Sequence, residues 1–349
     1  MINYNRTVFV VLLWIFSLSG CDRYDLVPEV SIGFQNPTEV SETGFRVRWS
    51  VNPSGYTSLT FILASDPSFH SVLITRSFRD RSVNSTRVDS LRGATTYYYR
   101  ISVEKEPGRF FHSKPQTITM PYRSTEVHFY TPDSIRLKGT VNYLASVIEK
   151  RPGVIMMHEL AVFNNKWSDS EILRSLVAGE YLCLIYSNRG HGLSDYFNDL
   201  TRLIRDPAFL ANDLRGAMNF ITEHESVKAD SIALLGASMG GTMAVTGNGY
   251  EQVQTSVALS AANRDIDHMF PGKPLQSIFY IAGEEDIGTG ESGTENIPDD
   301  ARDLYKMTED PRKLLIVSNS AAHGMELLEL PDIHEEIFQW ILQHLPLQE

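Results

Sequence analysis

The chain has 349 residues, enough for two domains, and its 42% hydrophobic content can supply each of them with a core. Its formal net charge of -12 argues against nucleic acid as a partner, because a polyphosphate needs a basic surface and Lys and Arg form no cluster here. Anionic polymers are poor substrate candidates for the same reason.

Residues 1–20 have the arrangement of an export signal. Arg6 precedes the apolar run Val8 to Phe16, which is too short to span a bilayer, and small residues follow. The segment Leu18-Ser19-Gly20-Cys21 resembles the lipobox of bacterial lipoproteins, in which cleavage leaves the Cys as the lipid-modified N-terminus. The resemblance implies a lipid anchor at Cys21 and a place in the bacterial cell envelope, at the periplasmic face or the cell surface. An ordinary cleaved signal followed by an unrelated Cys is the alternative.

The sequence contains only two cysteines, Cys21 and Cys183. If Cys21 is acylated, no intramolecular disulfide can form, and the fold then depends on packing alone. Cys183 lies within the apolar run Tyr181 to Ile185, which is typical of a buried strand. We therefore interpret it as a core thiol and not as a nucleophile.

After a short tether over residues 21–26, residues 27–121 predict a small all-β domain. Apolar and polar residues alternate there, with Phe45, Val47 and Trp49 on one face, and turn residues separate the short runs. This pattern is typical of a β-sandwich.

The segment Leu91 to Ile101 resembles the signature of fibronectin type III domains. Tyr97, six residues after Leu91, takes the position of the tyrosine corner, and Trp49 suits the core tryptophan of an early strand. Such a domain could act as a spacer between the membrane and the rest of the chain. Contact with carbohydrate or protein is the alternative role.

After Pro121 the pattern changes to alternating strands and amphipathic helices, which predicts a doubly wound, mostly parallel α/β sheet over residues 122–349. Ser168 and Glu171 have the spacing of a capping box that begins a helix, and Gly179 can end it. Strands are predicted at Glu126 to Tyr130, Arg136 to Tyr143, Gly153 to Met157, Tyr181 to Tyr186, Ser231 to Leu235, Thr255 to Ser260, Ser277 to Ala282 and Leu314 to Val317. The further helices are predicted at Pro207 to His224, Met239 to Gly247, Asp299 to Met307 and Asp332 to His344.

The segment Gly236-Ala-Ser238-Met-Gly240 matches Gly-x-Ser-x-Gly and lies between a predicted strand and a predicted helix. A nucleophile elbow needs this strand-turn-helix context, because the turn is so tight that the neighbouring side chains must be small. On these residues the chain resembles the α/β-hydrolase superfamily, which implies that Ser238 is a nucleophile. A turn serine that caps an ordinary helix is the alternative.

The α/β-hydrolase resemblance implies the chain order Ser, acid, His, because the serine hydroxyl needs a base to remove its proton. His323 follows the last apolar strand, where the family carries this base, whereas His268, His334 and His344 are interpreted as ordinary surface residues. Asp286 follows Gly283 in the family's Gly-x-x-Asp pattern. Its neighbours Glu284 and Glu285 are the alternatives, with a solvated acidic loop as the structural interpretation.

Two backbone amides must also stabilise the oxyanion of the tetrahedral intermediate. The family resemblance assigns one to Met239 and the other to Leu160, in the loop that follows the first parallel strand. Most members have His-Gly in that loop; His158-Glu159 departs from this and resembles the dienelactone-hydrolase-like branch. Glu159 then contacts the nucleophile region or, alternatively, is a structural carboxylate bonded to loop amides.

Residues Asn188 to Ser194 resemble the superfamily's Arg-Gly-His-Gly loop, with Ser187 in place of its usual Asp. His191 and Ser194 precede the elbow in the chain, which is the wrong order for this family, so we interpret them as loop structure. The His, Asp and Glu residues have no spacing typical of a metal site, and no cofactor is expected.

The sequence favours hydrolysis of a carboxylic ester in a small or carbohydrate-linked substrate. Only a short connection separates the predicted strands Thr255 to Ser260 and Ser277 to Ala282, which disfavours the large helical lid of a lipase. A peptidase or amidase with the same triad is the first alternative, although prolyl-oligopeptidase-like enzymes carry a propeller that the N-terminal region is too short to supply. A non-catalytic adhesive lipoprotein is the second.

Overall fold

The computed structural model describes residues 30–52, 54–160, 165–197, 207–263, 274–288 and 295–347. The predicted signal, the tether and Cys21 lie outside the described residues, as does His268. The described chain forms an N-terminal region of antiparallel sheets and a larger region built on one eight-stranded sheet.

The N-terminal region consists of two antiparallel sheets. One has the order β1-β3-β2 with β6 paired to β3, and the other has the order β5-β4-β7-β8 with β9 paired to β7. Apolar side chains of both sheets form one core, because each strand turns alternate residues inward. The strands are β1 Ser31–Phe34, β2 Thr38–Ser41, β3 Gly44–Asn52, β4 Ser58–Ala64, β5 Val72–Phe78, β6 Ser85–Val88, β7 Thr96–Glu106, β8 Arg109–His112 and β9 Gln116–Thr119.

A buried tyrosine fixes the turn that enters β7. The Tyr97 hydroxyl accepts a hydrogen bond of 3.0 Å from the backbone N–H of Arg92, five residues upstream. This is the arrangement of a tyrosine corner. Trp49 is buried in the same core, where its ring lies against Phe78.

The larger region is built on a sheet of order β10-β11-β13-β12-β14-β15-β16-β19. β10 and β11 form an antiparallel hairpin, β11 pairs antiparallel with β13, and every later pairing is parallel. The strands are β10 Arg123–Tyr130, β11 Arg136–Tyr143, β12 Arg151–Met157, β13 Leu182–Ser187, β14 Val227–Ala237, β15 Thr255–Leu259, β16 Gln276–Gly283 and β19 Glu309–Val317, with the short pair β17 Ile287–Gly288 and β18 Glu295–Asn296 beside them.

Helices cover both faces of this sheet, as its doubly buried apolar strands require. α2 and α6 pack on one face, and α3, α4 and α5 pack on the other. A 3-10 helix, Gly324–Glu329, precedes α6. The helices are α1 Asn165–Asp169, α2 Glu171–Ala178, α3 Pro207–Glu223, α4 Met239–Tyr250, α5 Ile297–Met307 and α6 Ile333–His344.

The predicted start of α2 was wrong in one respect. Ser170 is the N-cap, and its hydroxyl accepts the Leu173 N–H, whereas Ser168 lies inside the short helix α1. An N-cap residue has a non-helical backbone, and Ser170 is extended, with φ -70° and ψ 147°, whereas Ser168 is helical. Gly179 is the C-cap, as predicted.

Two strands are longer than their apolar runs. β14 extends the run Ser231 to Leu235 at both ends, and β19 begins at Glu309, before the run Leu314 to Val317. Several of the added residues at their amino ends are exposed, such as Asp230 in β14 and Glu309 in β19, although Val227 is buried. Apolar periodicity detects the buried part of a strand and misses such exposed ends.

The N-terminal sheets contact the eight-stranded region at the amino ends of its parallel strands. The Glu42 carboxylate accepts the backbone N–H groups of Ala145 and Ser146, each at 2.9 Å, just before β12. Arg92 forms an ion pair of 2.7 Å with Glu180, just before β13. The candidate site lies at the opposite, carboxyl ends of these strands.

Candidate active site

Ser238 occupies a tight turn between β14 and α4, with φ 53° and ψ -115°. A Cβ atom on Gly236 would lie 1.9 Å from the Gly240 carbonyl oxygen, and one on Gly240 would lie 2.3 Å from that of Met157. Only glycine fits at either position, which explains the Gly-x-Ser-x-Gly pattern in steric terms. The turn holds the serine at the end of the strand with its backbone in the left-handed region.

Ser238, His323 and Asp286 form one hydrogen-bonded chain. His323 Nε2 lies 2.8 Å from Ser238 Oγ, and its Nδ1 lies 2.9 and 3.0 Å from the two Asp286 carboxylate oxygens. An ionised carboxylate only accepts, so Nδ1 carries the proton and the neutral ring presents Nε2 to the serine hydroxyl. The three residues follow the carboxyl ends of β14, β19 and β16 respectively, which brings together groups that are far apart in the sequence.

The charge around His323 favours its protonated form. The hydrogen bond that His323 donates to Asp286 raises the pKa of His323 above its ordinary value, partial burial of the ring opposes this, and the charges of Asp286, Glu159 and Glu326 add to the increase. Asp286 itself is buried, with 2% of its surface exposed. The site therefore stabilises the imidazolium that forms when His323 accepts a proton.

The loop after β12 is held by the buried His158. A carbonyl only accepts, so His158 Nδ1 donates to the Glu159 oxygen at 2.6 Å, and Nε2 accepts the Asn188 N–H at 3.0 Å. Burial lowers the pKa of His158 to about 4, which keeps the ring neutral. In a trans peptide the C=O and N–H point in opposite directions. The Leu160 N–H therefore points away from His158.

The Glu159 carboxylate bonds to loop groups beside the nucleophile. One oxygen accepts the Lys166 ammonium at 2.8 Å, and the other accepts the Met325 N–H at 3.2 Å. A Cβ atom on Gly324 would lie 2.3 Å from this carboxylate and 3.5 Å from Ser238 Cβ. Each of the two interpretations made from the sequence therefore applies in part. The Glu159 carboxylate is bonded to a loop amide, and it also lies close to the nucleophile Ser238.

Residues 151–325, half of the chain, match the family model described as serine aminopeptidase, S33. The chain belongs to this family. It is accordingly an α/β-hydrolase of the serine hydrolase type. The matched region runs from the start of β12 to Met325, two residues after His323. The narrower likeness to the dienelactone-hydrolase-like branch rests on His158-Glu159 and stays a prediction.

Solved structures with the same architecture cover 64% of this S33 hydrolase. A hypothetical protein from Pseudomonas aeruginosa is 13% identical, with 94% of its own chain covered and a TM-score of 0.51. An esterase from Pyrococcus furiosus is 15% identical, with 93% covered and a TM-score of 0.50. DcsB, in complex with a substrate analogue, is 14% identical, with 100% covered and a TM-score of 0.50. At these identities the likeness establishes the α/β-hydrolase fold alone. A comparison with curated proteins finds no match.

The Arg-Gly-His-Gly loop packs against the buried His158 ring. Ser194 Oγ donates to the Ser187 carbonyl at 2.6 Å, and the His191 ring lies against that of His158. Arg189 is buried and pairs with the carboxylates of Asp213 and Asp133, both at 2.7 Å. These contacts are structural, and none of them reaches Ser238.

The other candidates for acid and base lie away from the serine. The Glu284 carboxylate accepts the Asn319 N–H at 2.9 Å, and Glu285 is exposed. On α6, His344 Nδ1 bonds to the carbonyl of its own helix four residues back, and His334 Nε2 lies 3.7 Å from a Glu171 oxygen. The structure therefore brings together the three residues that the family pattern selects.

Three residues near the triad escaped the sequence analysis. Lys166 pairs with Glu159, Glu326 accepts the His323 N–H at 3.2 Å, and Ser260 contacts Asp286. None of the three belongs to a sequence motif. Their contacts either join elements that are distant in the chain or depend on the shape of a loop, which the sequence did not predict. The one available signal was that Ser260 ends a predicted strand beside the elbow.

Within the described ranges, no group of three or more His, Cys, Asp and Glu side chains is arranged to hold a metal ion. Among those same residues, no helix has the length and apolarity needed to cross a membrane.

Cys183 is fully buried, and burial raises the pKa of its thiol. This environment agrees with the interpretation of Cys183 as a core thiol.

Proposed function

We propose that this S33 hydrolase cleaves a carboxylic ester of a small or carbohydrate-linked substrate through an acyl-enzyme on Ser238. The observation that carries the proposal is the unbroken hydrogen-bonded chain from Ser238 through His323 to Asp286, with distances of 2.8 and 2.9 Å. These lengths place a base within direct proton-transfer reach of the nucleophile.

In the first step, Ser238 Oγ attacks the ester carbonyl carbon while His323 Nε2 takes the hydroxyl proton. Asp286 stabilises the resulting imidazolium, and the backbone amides of Met239 and Leu160 donate to the oxyanion. Collapse of the tetrahedral intermediate breaks the bond to the alcohol, which receives the proton from His323. The products of this half-reaction are an alcohol and an ester of the acyl group with Ser238.

In the second step, water attacks the acyl-enzyme, and His323 takes a proton from it. Collapse releases the acid, and the proton returns to Ser238 Oγ. Because both steps need neutral His323, kcat/KM should fall as the pH drops through the pKa of His323. Asp286 raises that pKa, so we expect the midpoint of this acid limb above the ordinary histidine value of about 6.5.

The length of one connection favours a small ester. Residues 260–275 are all that lies between β15 and β16, too short for a substantial helical lid over a long acyl chain. The main alternative is an aminoacyl or peptide substrate cleaved with the same triad, which the name of the family suggests. The two differ in the leaving group, an alcohol or an amine, that His323 protonates.

Paired substrates separate the ester from the amide. We expect turnover of p-nitrophenyl acetate and of acetylated sugars by the soluble chain from Asp22 onward, with much lower kcat/KM on alanine and proline p-nitroanilides. Ser238→Ala is the control for turnover by contaminants. Higher kcat/KM on the anilides than on the acetate would replace the esterase proposal with an aminopeptidase.

We also propose that residues 27–121 are a fibronectin type III-like domain and that residues 122–349 are the catalytic domain. The paired antiparallel sheets, the Tyr97 hydroxyl bonded to Arg92 and the buried Trp49 support the first assignment. Because this domain contacts the amino ends of the parallel strands, a spacer role fits better than a role at the active-site mouth. Contact of its outer surface with carbohydrate or protein is the alternative role.

The final part of the proposal is a lipid anchor at Cys21 in the bacterial cell envelope, after removal of residues 1–20. The lipobox resemblance supports it. In a bacterial host, Cys21→Ala should abolish labelling by radioactive palmitate and move the protein from the membrane fraction to the soluble fraction. Undiminished labelling of the variant would contradict the anchor.

A further inference from the structure

Ser260 occupies the same place on β15 that Ser238 occupies on β14. Ser238 follows β14 with φ 53°, and Ser260 follows β15 with φ 50°. Each donates its backbone N–H across to the next strand at 2.8 Å, Ser238 to Leu259 and Ser260 to Ile281. A non-glycine residue rarely adopts this left-handed conformation, and such residues concentrate at functional sites. Ser260 is buried, with 1% of its surface exposed.

The Ser260 hydroxyl joins the acid of the triad to the loop that carries the base. Its oxygen lies 2.7 Å from Asp286 Oδ2 and 2.9 Å from the backbone nitrogen of Gly324, the residue after His323. The carboxylate only accepts and the amide only donates, so the hydroxyl donates to Asp286 and accepts from Gly324. Both bonds use a single side-chain atom.

We propose that Ser260 is a positioning residue for the hydrolysis, which holds the Asp286 carboxylate and the His323 loop in their catalytic alignment. The inference rests on the proposed function, since it concerns the same triad. Ser260 does not touch the reacting atoms and acts through Asp286 and His323.

The surroundings of Asp286 explain why one hydroxyl has this effect. Among the residues that the structure describes, the partners of its carboxylate are His323 and Ser260. Without the hydroxyl, the carboxylate can turn about its terminal torsion, and the buried Gly324 N–H loses its acceptor. The loop then keeps the adjacent bond from Met325 to Glu159, so it stays near its place but is less constrained.

Replacement of Ser260 by Gly and by Ala separates the hydroxyl from the backbone conformation. Glycine adopts a positive φ without strain, whereas alanine keeps the strain, and both lack the hydroxyl. With p-nitrophenyl acetate, we expect both variants to lose about tenfold in kcat, the effect of one hydrogen bond to a charged group, with KM nearly unchanged. Labelling by a fluorophosphonate should slow by a similar factor.

The pH profile distinguishes positioning of Asp286 from a general loss of stability. Asp286, Glu159 and Glu326 are the charged groups that raise the pKa of His323, and the substitution at Ser260 leaves the last two in place. If Asp286 moves away from the imidazole, the acid limb of kcat/KM shifts to lower pH in Ser260→Gly. A loss of stability alone lowers the thermal midpoint and leaves this limb where it is.

Ser134→Gly is the matched control, because Ser134 also has a positive φ, of 66°, but lies in the hairpin turn between β10 and β11. Its kcat should equal that of the wild type. Wild-type kcat in Ser260→Gly, or a fall in kcat with an unmoved acid limb, would overturn the inference. If the wild type neither turns over the acetate nor reacts with the fluorophosphonate, the proposed function fails and the inference fails with it. The test does not require Ser260→Ala to fold, because the kcat and the acid limb of Ser260→Gly are sufficient to support or overturn the inference.

Discussion

The two ends of the parallel strands carry different kinds of contact. At their carboxyl ends, four neighbouring strands, β14, β15, β16 and β19, are followed in turn by Ser238, Ser260, Asp286 and His323, which hydrogen-bond to one another. At the amino ends, Glu42 and Arg92, in turns of the N-terminal region, contact the chain before β12 and β13. The catalytic residues and the contacts with the N-terminal region thus lie at opposite ends of the parallel strands.

This separation has a simple consequence for substitutions. A change to one of these four hydrogen-bonded residues alters the alignment of groups that must meet within hydrogen-bond distance, so it should act on kcat. A change at the amino ends alters contacts that hold the two regions together and should act on stability with kcat unchanged. The predictions below test this contrast, from the largest expected effect to the smallest.

Asp286→Asn should produce the largest loss. Asparagine keeps the shape of the side chain but cannot fix the same tautomer of His323 or stabilise its cation, so kcat should fall by about 10⁴-fold. Steady-state turnover of p-nitrophenyl acetate measures this. Glu285→Gln, one residue earlier and exposed, is the control and should retain wild-type kcat; equal losses in both variants would reject Asp286 as the acid.

Two buried arginines, neither of which contacts the triad, compare the loss of charged partners with the loss of neutral ones. Arg189, after β13, pairs with the carboxylates of Asp213 and Asp133, whereas Arg151, at the start of β12, donates to the carbonyl of Leu144 at 2.9 Å. Arg189→Met leaves Asp213 buried without its partner and should lower the free energy of unfolding by about 3–5 kcal/mol.

Arg151→Met leaves neutral carbonyls without a donor and should cost about 1–3 kcal/mol. Denaturant titration of both variants gives the comparison. A loss in Arg151→Met as large as that in Arg189→Met would show that the carboxylate partners of Arg189 add nothing.

His158 should make stability depend on pH. Burial holds its pKa at about 4 in the fold, whereas the unfolded chain protonates it near 6.5, so the unfolded state binds more protons between these values. The free energy of unfolding should therefore fall as the pH drops from about 6.5 to about 4, by about 3 kcal/mol. His158→Gln lacks this titration, so it should lose about 3 kcal/mol less than the wild type over the same interval; equal losses would mean that His158 is protonated in the fold.

Glu42→Ala should have the smallest effect. It removes the acceptor of two backbone N–H groups at a partly exposed contact and should lower the free energy of unfolding by about 1 kcal/mol. The kcat should be that of the wild type, because the contact lies at the far end of the sheet. Glu149→Ala, an exposed carboxylate nearby in the chain, controls for the loss of charge; a lower kcat in Glu42→Ala would break the contrast between the two ends.

The sequence was sufficient for the α/β-hydrolase fold and for the three residues that form the hydrogen-bonded chain. Gly236 and Gly240 are required because a Cβ atom at either position would clash with the backbone, and this requirement is visible as a sequence motif. Buried parallel strands are visible as continuous apolar runs. The α/β-hydrolase resemblance then restricts where acid and base can stand in the chain.

Ser260 could not be predicted, because its contacts depend on strand order and on the shape of the His323 loop. The same holds for Lys166, whose ion pair with Glu159 depends on where α1 lies relative to the end of β12. The N-cap was assigned to Ser168 and not to Ser170 for a different reason. The two serines are only two residues apart, and the sequence pattern does not show that the short helix α1 ends between them.

The central claim is that Ser238 is the nucleophile. Incubation of the soluble wild-type chain with a fluorophosphonate, followed by proteolysis and mass spectrometry of the labelled peptide, tests it most directly. We predict a single adduct on Ser238, and none on the Ser238→Ala variant under the same conditions. An adduct on Ser194 or Ser260, or equal labelling of Ser238→Ala, would contradict the account.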